Sequence, residues 1–368
     1  MENSPGHPVN AHLSKLFHSI VAASKQNVIS SPLSVYICLG MLAEGLSGAT
    51  FKELKDGLGF GPESNVVDAS ITGAIAKLSA STNKAAVVKM SNSIYTGHNF
   101  PLKAGWVQTL LNKYKATAKS VDFGQAATKQ MINDQISEAT NGLLKDTVSD
   151  IDPATVAMLV NTIYFKGLWA QPFKKEATHK RQFKLKGGTE VSVDFMSHGK
   201  LKVPMQQTGP LWYLAIPYEG GKIMFVVEMA AEPDNLPPSD SAKVIKIAKL
   251  PTAETIVFLP KFKSECKTEL TPVLKKLGIN KIFQAGADFH KISDSPVAVS
   301  SVLHHAFVIV DEVGTEAAAA TVVTLSRSAA ISLIQPPAFE VNKPFHFHIL
   351  DTTSNIILFS GTVHQPAF

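Results

Sequence analysis

Histidines and cysteines are the residues of this chain best suited to chemistry, and their spacing limits what they can do. His304 and His305 are neighbours, so a strand would place them on opposite faces. A catalytic role for either needs an activated nucleophile, and no nucleophile motif accompanies them. One of the two is expected to be buried and hydrogen-bonded instead. His346 and His348 stand two apart in a strand-like run and would share a face, which is half of a metal site. No third ligand lies at a telling spacing, so no metal and no cofactor is expected. Cys38 and Cys266 lack the close spacing of a metal or redox motif. They read as buried small hydrophobes, with a disulfide as the alternative.

Other enzyme signatures are missing. There is no G-x-S-x-G, H-E-x-x-H, C-x-x-C or G-x-x-x-x-G-K. The run GLGFG from Gly57 to Gly61 lacks the last spacing of a dinucleotide loop and reads as a turn. Lys115 and Lys119 are four apart and on a helix would share a face. That face is either simply solvated or a docking patch for a heparin-like polyanion.

Composition narrows the class further. Hydrophobic residues make up 45% of the 368 and charged residues only 18%, enough for a sizeable core and too apolar for a disordered chain. Lys plus Arg (35) exceed Asp plus Glu (30) by five, which permits weak polyanion affinity but does not mark a nucleic-acid binder. No apolar run reaches the roughly 18 residues of a membrane span. The N-terminal run MENSPGHPVNAHLSKLF has no apolar signal core, and no N-x-Ser/Thr sequon occurs. A cytoplasmic protein is the expectation, with a secreted mature form as the alternative.

These side chains need elements to position them. Leu13, Leu16, Phe17 and Ile20 repeat with helical spacing. Ser31 followed by Pro32 is a helix-start signal before VYICLGMLAEGL. TKQMINDQISEATNGLL is amphipathic, and its Asn141–Gly142 pair marks an end or a turn. Strands dominate later. ATVAMLVNTIYFKGLW is apolar on both faces, as a buried central strand would be. TEVSVDFM, TIVFLPKF and AFVIVDE follow, and DTTS between KPFHFHIL and NIILFSGTV reads as a closing hairpin. Neither a repeat nor a linker cuts the chain. An α+β protein of one domain, 1–368, built on large sheets, is expected.

The tract from Asp311 to Pro337 fits none of these elements. Glu316 and the alanines 317–320 favour a helix, TVVTL favours a strand, and SRSAA has the composition of an exposed loop that proteases nick. Read as a strand, Thr315, Ala317, Ala319, Thr321, Val323 and Leu325 would line one face, small first and larger later. Gly314 to Ser328 would then span about 50 Å at roughly 3.3 Å per residue. A compact chain of this size is about 54 Å across. The tract is as long as the molecule.

Taken in order, the motifs resemble the serpin family over essentially the whole chain. NVISSPLSV (Asn27 to Val35), INDQISEATNGLL, NTIYFKGLWAQPF (Asn161 to Phe173), LPKFK, GINKIF, HHAFVIVDEVGTEAAAAT, NKPFHFHILD and FSGTV carry the likeness. Tyr164 stands where the family has a phenylalanine. The resemblance implies a serpin fold of three β-sheets, about nine helices and an exposed reactive loop at about 312–337. It also implies a monomeric protease inhibitor, not an enzyme, working by suicide-substrate trapping. A protease cleaves the loop and forms an acyl-enzyme, and the loop then enters the main sheet as a new strand. A non-inhibitory serpin (a carrier, chaperone or storage protein) is the alternative. Such members tend to carry bulky, charged or proline residues in the hinge, which GTEAAAAT lacks.

The same resemblance carries over roles. Glu312, Gly314, Thr315, Glu316, Ala317, Ala318, Ala319, Ala320 and Thr321 match the hinge. Ser31, Ser34, Asn161 and His304 match the shutter beneath the sheet, and Trp169 matches the breach at its top. The tract from the hinge to NKPF looks longer than in several serpins, with the extra residues around AAISLIQ, which leaves the reactive bond open. The commonest family spacing puts it at Ser328–Ala329. One residue less gives Arg327–Ser328, favoured because Arg327 offers the loop's one strong specificity handle to a trypsin-like pocket. A papain-like cysteine protease reading Leu325 and cutting after Ser326 is a third reading.

Overall fold

A computed structural model describes residues 9–22, 26–59, 86–315 and 335–368. From the N-terminus come α1 (Val9–Ala22), β1 (Val28–Ser30), α2 (Pro32–Ala43), α3 (Gly48–Leu58), β2 (Ala86–Gly97), α4 (Ala104–Thr109), β3 (Thr117–Val121) and α5 (Ala126–Ala139). The middle holds β4 (Ala157–Leu168), β5 (His179–Lys184), β6 (Glu190–Val203), β7 (Met205–Thr208), β8 (Leu211–Pro217), β9 (Ile223–Ala230) and α6 (Ser241–Ile247). The remainder is β10 (Ala253–Pro260), β11 (Phe262–Glu269), α7 (Thr271–Lys276), β12 (Val299–Val310), β13 (Gly314–Thr315), β14 (Ala338–Glu340), β15 (Phe345–Asp351) and β16 (Ile356–Val363).

The strands form three sheets, as expected, with seven α-helices among the described residues. The main sheet runs β11-β12-β4-β2-β3, with β13 added beside β4. A second sheet runs β1-β16-β15-β9-β8-β7 and a third β14-β10-β6-β5. Alternation along β4 shows why the main sheet is covered on both faces. Leu159, Ile163 and Phe165 enter the principal core, which also holds α2, while Met158, Val160 and Tyr164 pack with Ile132 and Ile136 of α5.

Local signals explain the helix boundaries. Ser31 caps α2 by accepting from the Ser34 N–H, Pro32 opens its first turn, and every residue of the helix is buried. Helix α5 ends where Asn141 and Gly142 adopt left-handed φ of 55° and 79°. The run TIVFLPKF is not one strand. Pro260 ends β10 in the third sheet, and after Lys261 the chain re-enters the main sheet as β11.

Gly361 sits in β16 between β15 and β1, and a Cβ there would lie 2.2 Å from the Phe347 ring and 2.9 Å from the Val28 carbonyl oxygen. Gly361→Ala should therefore overpack this contact at a cost of about 1–3 kcal/mol. Thermal unfolding should show a melting temperature lower by a few degrees.

Candidate functional site: the sheet seam and its hinge

Strands β4 and β12 run parallel and are paired directly from Ala157↔Val299 to Tyr164↔Phe307. In the middle of this seam Asn161 faces His304 in register, and on its other side Asn161 faces Asn92 of β2. Three polar residues thus form a row across three strands, on the face that points to the start of α2. His304 Nδ1 donates to Asn161 Oδ1 (2.5 Å), and Asn161 Nδ2 donates to Asn92 Oδ1 (2.5 Å) and to the Ser34 hydroxyl. On its other nitrogen, His304 accepts from the Ser31 backbone N–H (3.1 Å), and the Ser31 hydroxyl donates to the Leu358 carbonyl of β16 (2.6 Å). All five side chains are buried. Ser31, Ser34, Asn161 and His304 therefore meet, joined by Asn92, which sequence reading missed because one asparagine in a strand has no distinguishing pattern.

These bonds assign the imidazole a neutral tautomer, with hydrogen on Nδ1 and a lone pair on Nε2. A second proton would confront the Ser31 N–H with another donor inside the core. Burial, with a smaller contribution from His305, pushes the His304 pKa down to about 3. His305 faces the opposite side, as alternation requires, but it too is buried and bonded, to Thr147 (2.8 Å) and Glu265 (2.9 Å). Both histidines are satisfied core residues rather than one.

Above Tyr164 the two strands part, and β13 fills the opening. Gly314 and Thr315 pair antiparallel with Leu168 and Gly167 on the edge of β4 that β12 uses lower down. A turn closed by the Asp311 N–H and the Gly314 carbonyl (2.9 Å) reverses the chain between β12 and β13. A Cβ at Gly314 would lie 2.0 Å from the Gly167 oxygen, so glycine is required for so close an approach. Thr315 is fully buried, and its hydroxyl is bonded to that of Tyr218 (2.7 Å).

An aromatic platform supports this end of the seam. The Trp169 ring stacks on Tyr218 with centroids 4.6 Å apart and donates from Nε1 to the Asp311 carbonyl (2.9 Å). The Trp169 and Phe173 N–H groups donate to the Val313 and Glu312 carbonyls. The buried Glu312 carboxylate accepts from the Thr178 hydroxyl (2.7 Å) and pairs with Lys261 Nζ (3.1 Å). Burial pushes this carboxyl up, but the bonds from Thr178 and Lys261 outweigh it and hold its pKa below the usual range. Lys261 reaches Glu312 because it stands at the corner where the chain changes sheets. Its partner is 51 positions away, so no local pattern could have shown the pair.

Other expectations fare differently. Lys115 and Lys119 do not share a helix. After α4 the helix widens into a π turn, Lys115 ends it at a left-handed φ of 54°, and Lys119 lies in β3. The β-branched Thr117 and Val121 favour the strand, and both lysines are exposed, on separate elements. Cys38 and Cys266 are both free; Cys38 is buried, with its thiol pushed up to about 12, while Cys266 is only half-buried. Among the described residues no group of three or more ligating side chains could hold a metal. Glu316, Ala317, Ala318, Ala319, Ala320, Thr321, Arg327, Ser328 and Ala329 lie outside the described residues.

A three-sheet α+β fold, with a long tract running from the top of its main sheet to β14, is the architecture of a serpin. The chain belongs to the serpin family: the family sequence model described as "Serpin (serine protease inhibitor)" matches residues 9–366. Neuroserpin from Gallus gallus is 31% identical over 362 residues, covering 94% of this chain and 87% of that protein. Iripin-3 from Ixodes ricinus is 34% identical over 357 residues, covering 92% and 89%. Among solved structures, human thyroxine-binding globulin complexed with thyroxine superposes with a TM-score of 0.88 at 25% identity, covering 98% of each chain. Protease nexin-1 with heparin superposes with a TM-score of 0.83 at 26% identity, covering 98% of this chain and 100% of that one.

Buried His304 makes stability depend on pH. Folded His304 takes its proton near pH 3, whereas its ordinary value is 6.5. Between these values the unfolded chain binds the extra proton, so stability is full above about pH 6.5 and falls as pH drops. At pH 5 the loss from this residue is about 2 kcal/mol. The thermal midpoint should fall between pH 7.5 and pH 5, and His304→Gln should remove this residue's share of that dependence.

Proposed function

We propose that this chain inhibits a protease by suicide-substrate trapping. A protease nucleophile attacks a carbonyl of the loop, the peptide bond breaks, and the new amine leaves while the acyl group stays on the enzyme. The freed loop then enters the main sheet between β4 and β12 and carries the attached protease with it, before water can release the acyl group.

The observation that carries this reading is the hinge already seated at the head of the seam. Thr315 faces the core opposite Gly167. An inserting strand that kept this register would advance six residues along the loop as it retreated six along β4. Thr321 would then stand opposite Asn161, with its hydroxyl placed to take over the hydrogen bond that His304 gives up. The residues between are a glutamate and four alanines, with Ala317 and Ala319 on the core face, where small side chains meet least resistance. A hinge of this composition also argues against a carrier, although thyroxine-binding globulin shares the fold.

Arg327–Ser328 is our choice of reactive bond, with a trypsin-like serine protease as target. Ser328–Ala329 would suit an elastase-like enzyme, and cleavage after Ser326 a papain-like cysteine protease. For a heparin-like polyanion, Lys115 and Lys119 offer two separate cations rather than one helical face.

Thr315→Arg would drive a charge into the closed core beside Tyr218, where burial without a partner is costly. The variant should still be cleaved but should release active protease instead of forming an SDS-stable complex. Undiminished complex formation would overturn the insertion mechanism. Arg327→Ala should abolish trapping of trypsin while leaving the hinge competent, and trapping at the parent's rate would move the reactive bond to one of the alternatives. Loop cleavage should also raise the melting temperature by tens of degrees, since the inserted strand completes a ladder that the native sheet lacks. Equal melting curves before and after cleavage would favour a non-inhibitory serpin.

A further inference from the structure

His346 and His348, two apart on β15, have no part in the seam, yet they are among the most elaborately bonded side chains in the protein. They belong to two rows crossing the second sheet. In one, Tyr213, Glu228, His346 and Thr362 stand side by side on β8, β9, β15 and β16. In the next, His348 stands beside Ser360. Phe17 of α1 covers both rows, with ring centroids 6.3 Å from His346 and 6.2 Å from His348, and His18 lies 5.9 Å from the same ring. The segment from Pro237 to Ser239 closes the remaining side.

The bonds define every proton. The single hydrogen of the Ser239 hydroxyl goes to Glu228 (2.6 Å), so Ser239 accepts from His348 Nε2 (2.9 Å), and His348 Nδ1 accepts from Ser360 (2.9 Å). His346 Nε2 donates to the Pro237 carbonyl (2.9 Å), and its Nδ1 accepts from Thr362 (2.8 Å). Tyr213 supplies the second bond to Glu228 (3.1 Å). His18 is tied to the Ser239 backbone, while its Nε2 is buried without a partner. The network is complete only while His346 and His348 are neutral. A proton on either Nδ1 removes the bond donated by Thr362 or Ser360 and places charge in the core.

We propose that His18, His346 and His348 form an acid-sensitive latch, which holds α1 and the Pro237–Ser239 segment on the second sheet and loosens them first in mildly acidic surroundings. The groups facing the cluster do little to neutralise it. Lys243 and Asp240 of the α6 region oppose each other in sign, His364 beyond β16 adds a third element's imidazole under the influence of Lys186, and Tyr213 is neutral. Glu228 is the acidic side chain bonded into the network, and burial pushes its pKa up against the bonds from Ser239 and Tyr213. Burial holds His346 at about 4 and His348 at about 3, each also opposed by neighbouring imidazoles. Opening the latch frees these side chains to take up protons at their ordinary values. At pH 5.5, one unit below 6.5, opening is thereby favoured about tenfold per histidine.

Hydrogen exchange followed by mass spectrometry tests this on the intact chain, without any protease, so its outcome is independent of the inhibitory reading. After correction for the intrinsic pH dependence of exchange, peptides covering 9–22 and 231–250 should lose at least about tenfold in protection between pH 7.5 and 5.5. Peptides from β4 and β12 should stay better protected than these at both pH values and lose only the share that belongs to His304. His346→Gln with His348→Gln keeps a group able to bond Pro237 and Ser239 but cannot titrate, and should remove most of the acid response. If that variant does not fold, His18→Gln at the edge of the cluster should reduce the response. Protection of α1 unchanged across this range would overturn the proposal. So would an undiminished response in the variant that folds, or loosening that starts at β4 and β12 and so belongs to His304.

Discussion

One hydrogen bond, from His304 to Asn161 across the seam between β4 and β12, is the constraint on which the main sheet turns. Parallel strands at the centre of a buried sheet exchange backbone bonds that nothing else can satisfy, so parting them exposes donors and acceptors on both sides. The side-chain bond adds an imidazole that must remain neutral and an amide with four hydrogen-bonding positions, both inside the core. Ser31 and Ser34 at the start of α2 complete the set and tie it through Leu358 to the second sheet. A new strand can enter only if this group exchanges partners. In the proposed mechanism the polar row is then a checkpoint for opening as well as a fastening.

At the upper end of the seam the two strands are already apart. There β4 outlasts its pairing with β12, and the two-residue β13 takes the vacant edge. Its position is over-determined by backbone bonds to Gly167 and Leu168, the Tyr218 hydroxyl, the Trp169 indole, and the Glu312 pair with Lys261. These contacts come from β4 and from the connections that follow β4, β8 and β10, and converge on residues 311–315. Glycine at 314 and at 167 makes the approach sterically feasible, since a side chain at either position would meet backbone or aromatic rings below 3 Å.

Buried polar rows recur in the second sheet with a different result. At the seam, Asn161 and His304 belong to strands that the proposed insertion mechanism would part. Under α1, the row through Tyr213, Glu228, His346 and Thr362 lies on strands paired without interruption at those positions, and what it touches is a helix and a loop segment. The same chemistry, neutral imidazoles whose two nitrogens are both in use, therefore bears on sheet opening in one place and on helix docking in the other.

Much of this was legible in the chain itself. Helical spacing marked α1, Ser31–Pro32 marked the start of α2, Asn141–Gly142 the end of α5, and DTTS the turn joining β15 and β16. Ordered motifs pointed to the fold and to Ser31, Ser34, Asn161, His304 and Trp169, because each sits in a run whose neighbours constrain it. Period-two alternation placed His304 and His305 on opposite faces and His346 and His348 on one. Local pattern could not show what those faces meet. That Lys261 turns a corner between sheets and so reaches Glu312, that Tyr218 lies under Thr315, that Asn92 extends the row, and that Lys115 and Lys119 fall on different elements were decided by tertiary structure. Each depends on strands distant in sequence being brought into register, and the energy of that pairing belongs to the assembled sheet rather than to any segment alone.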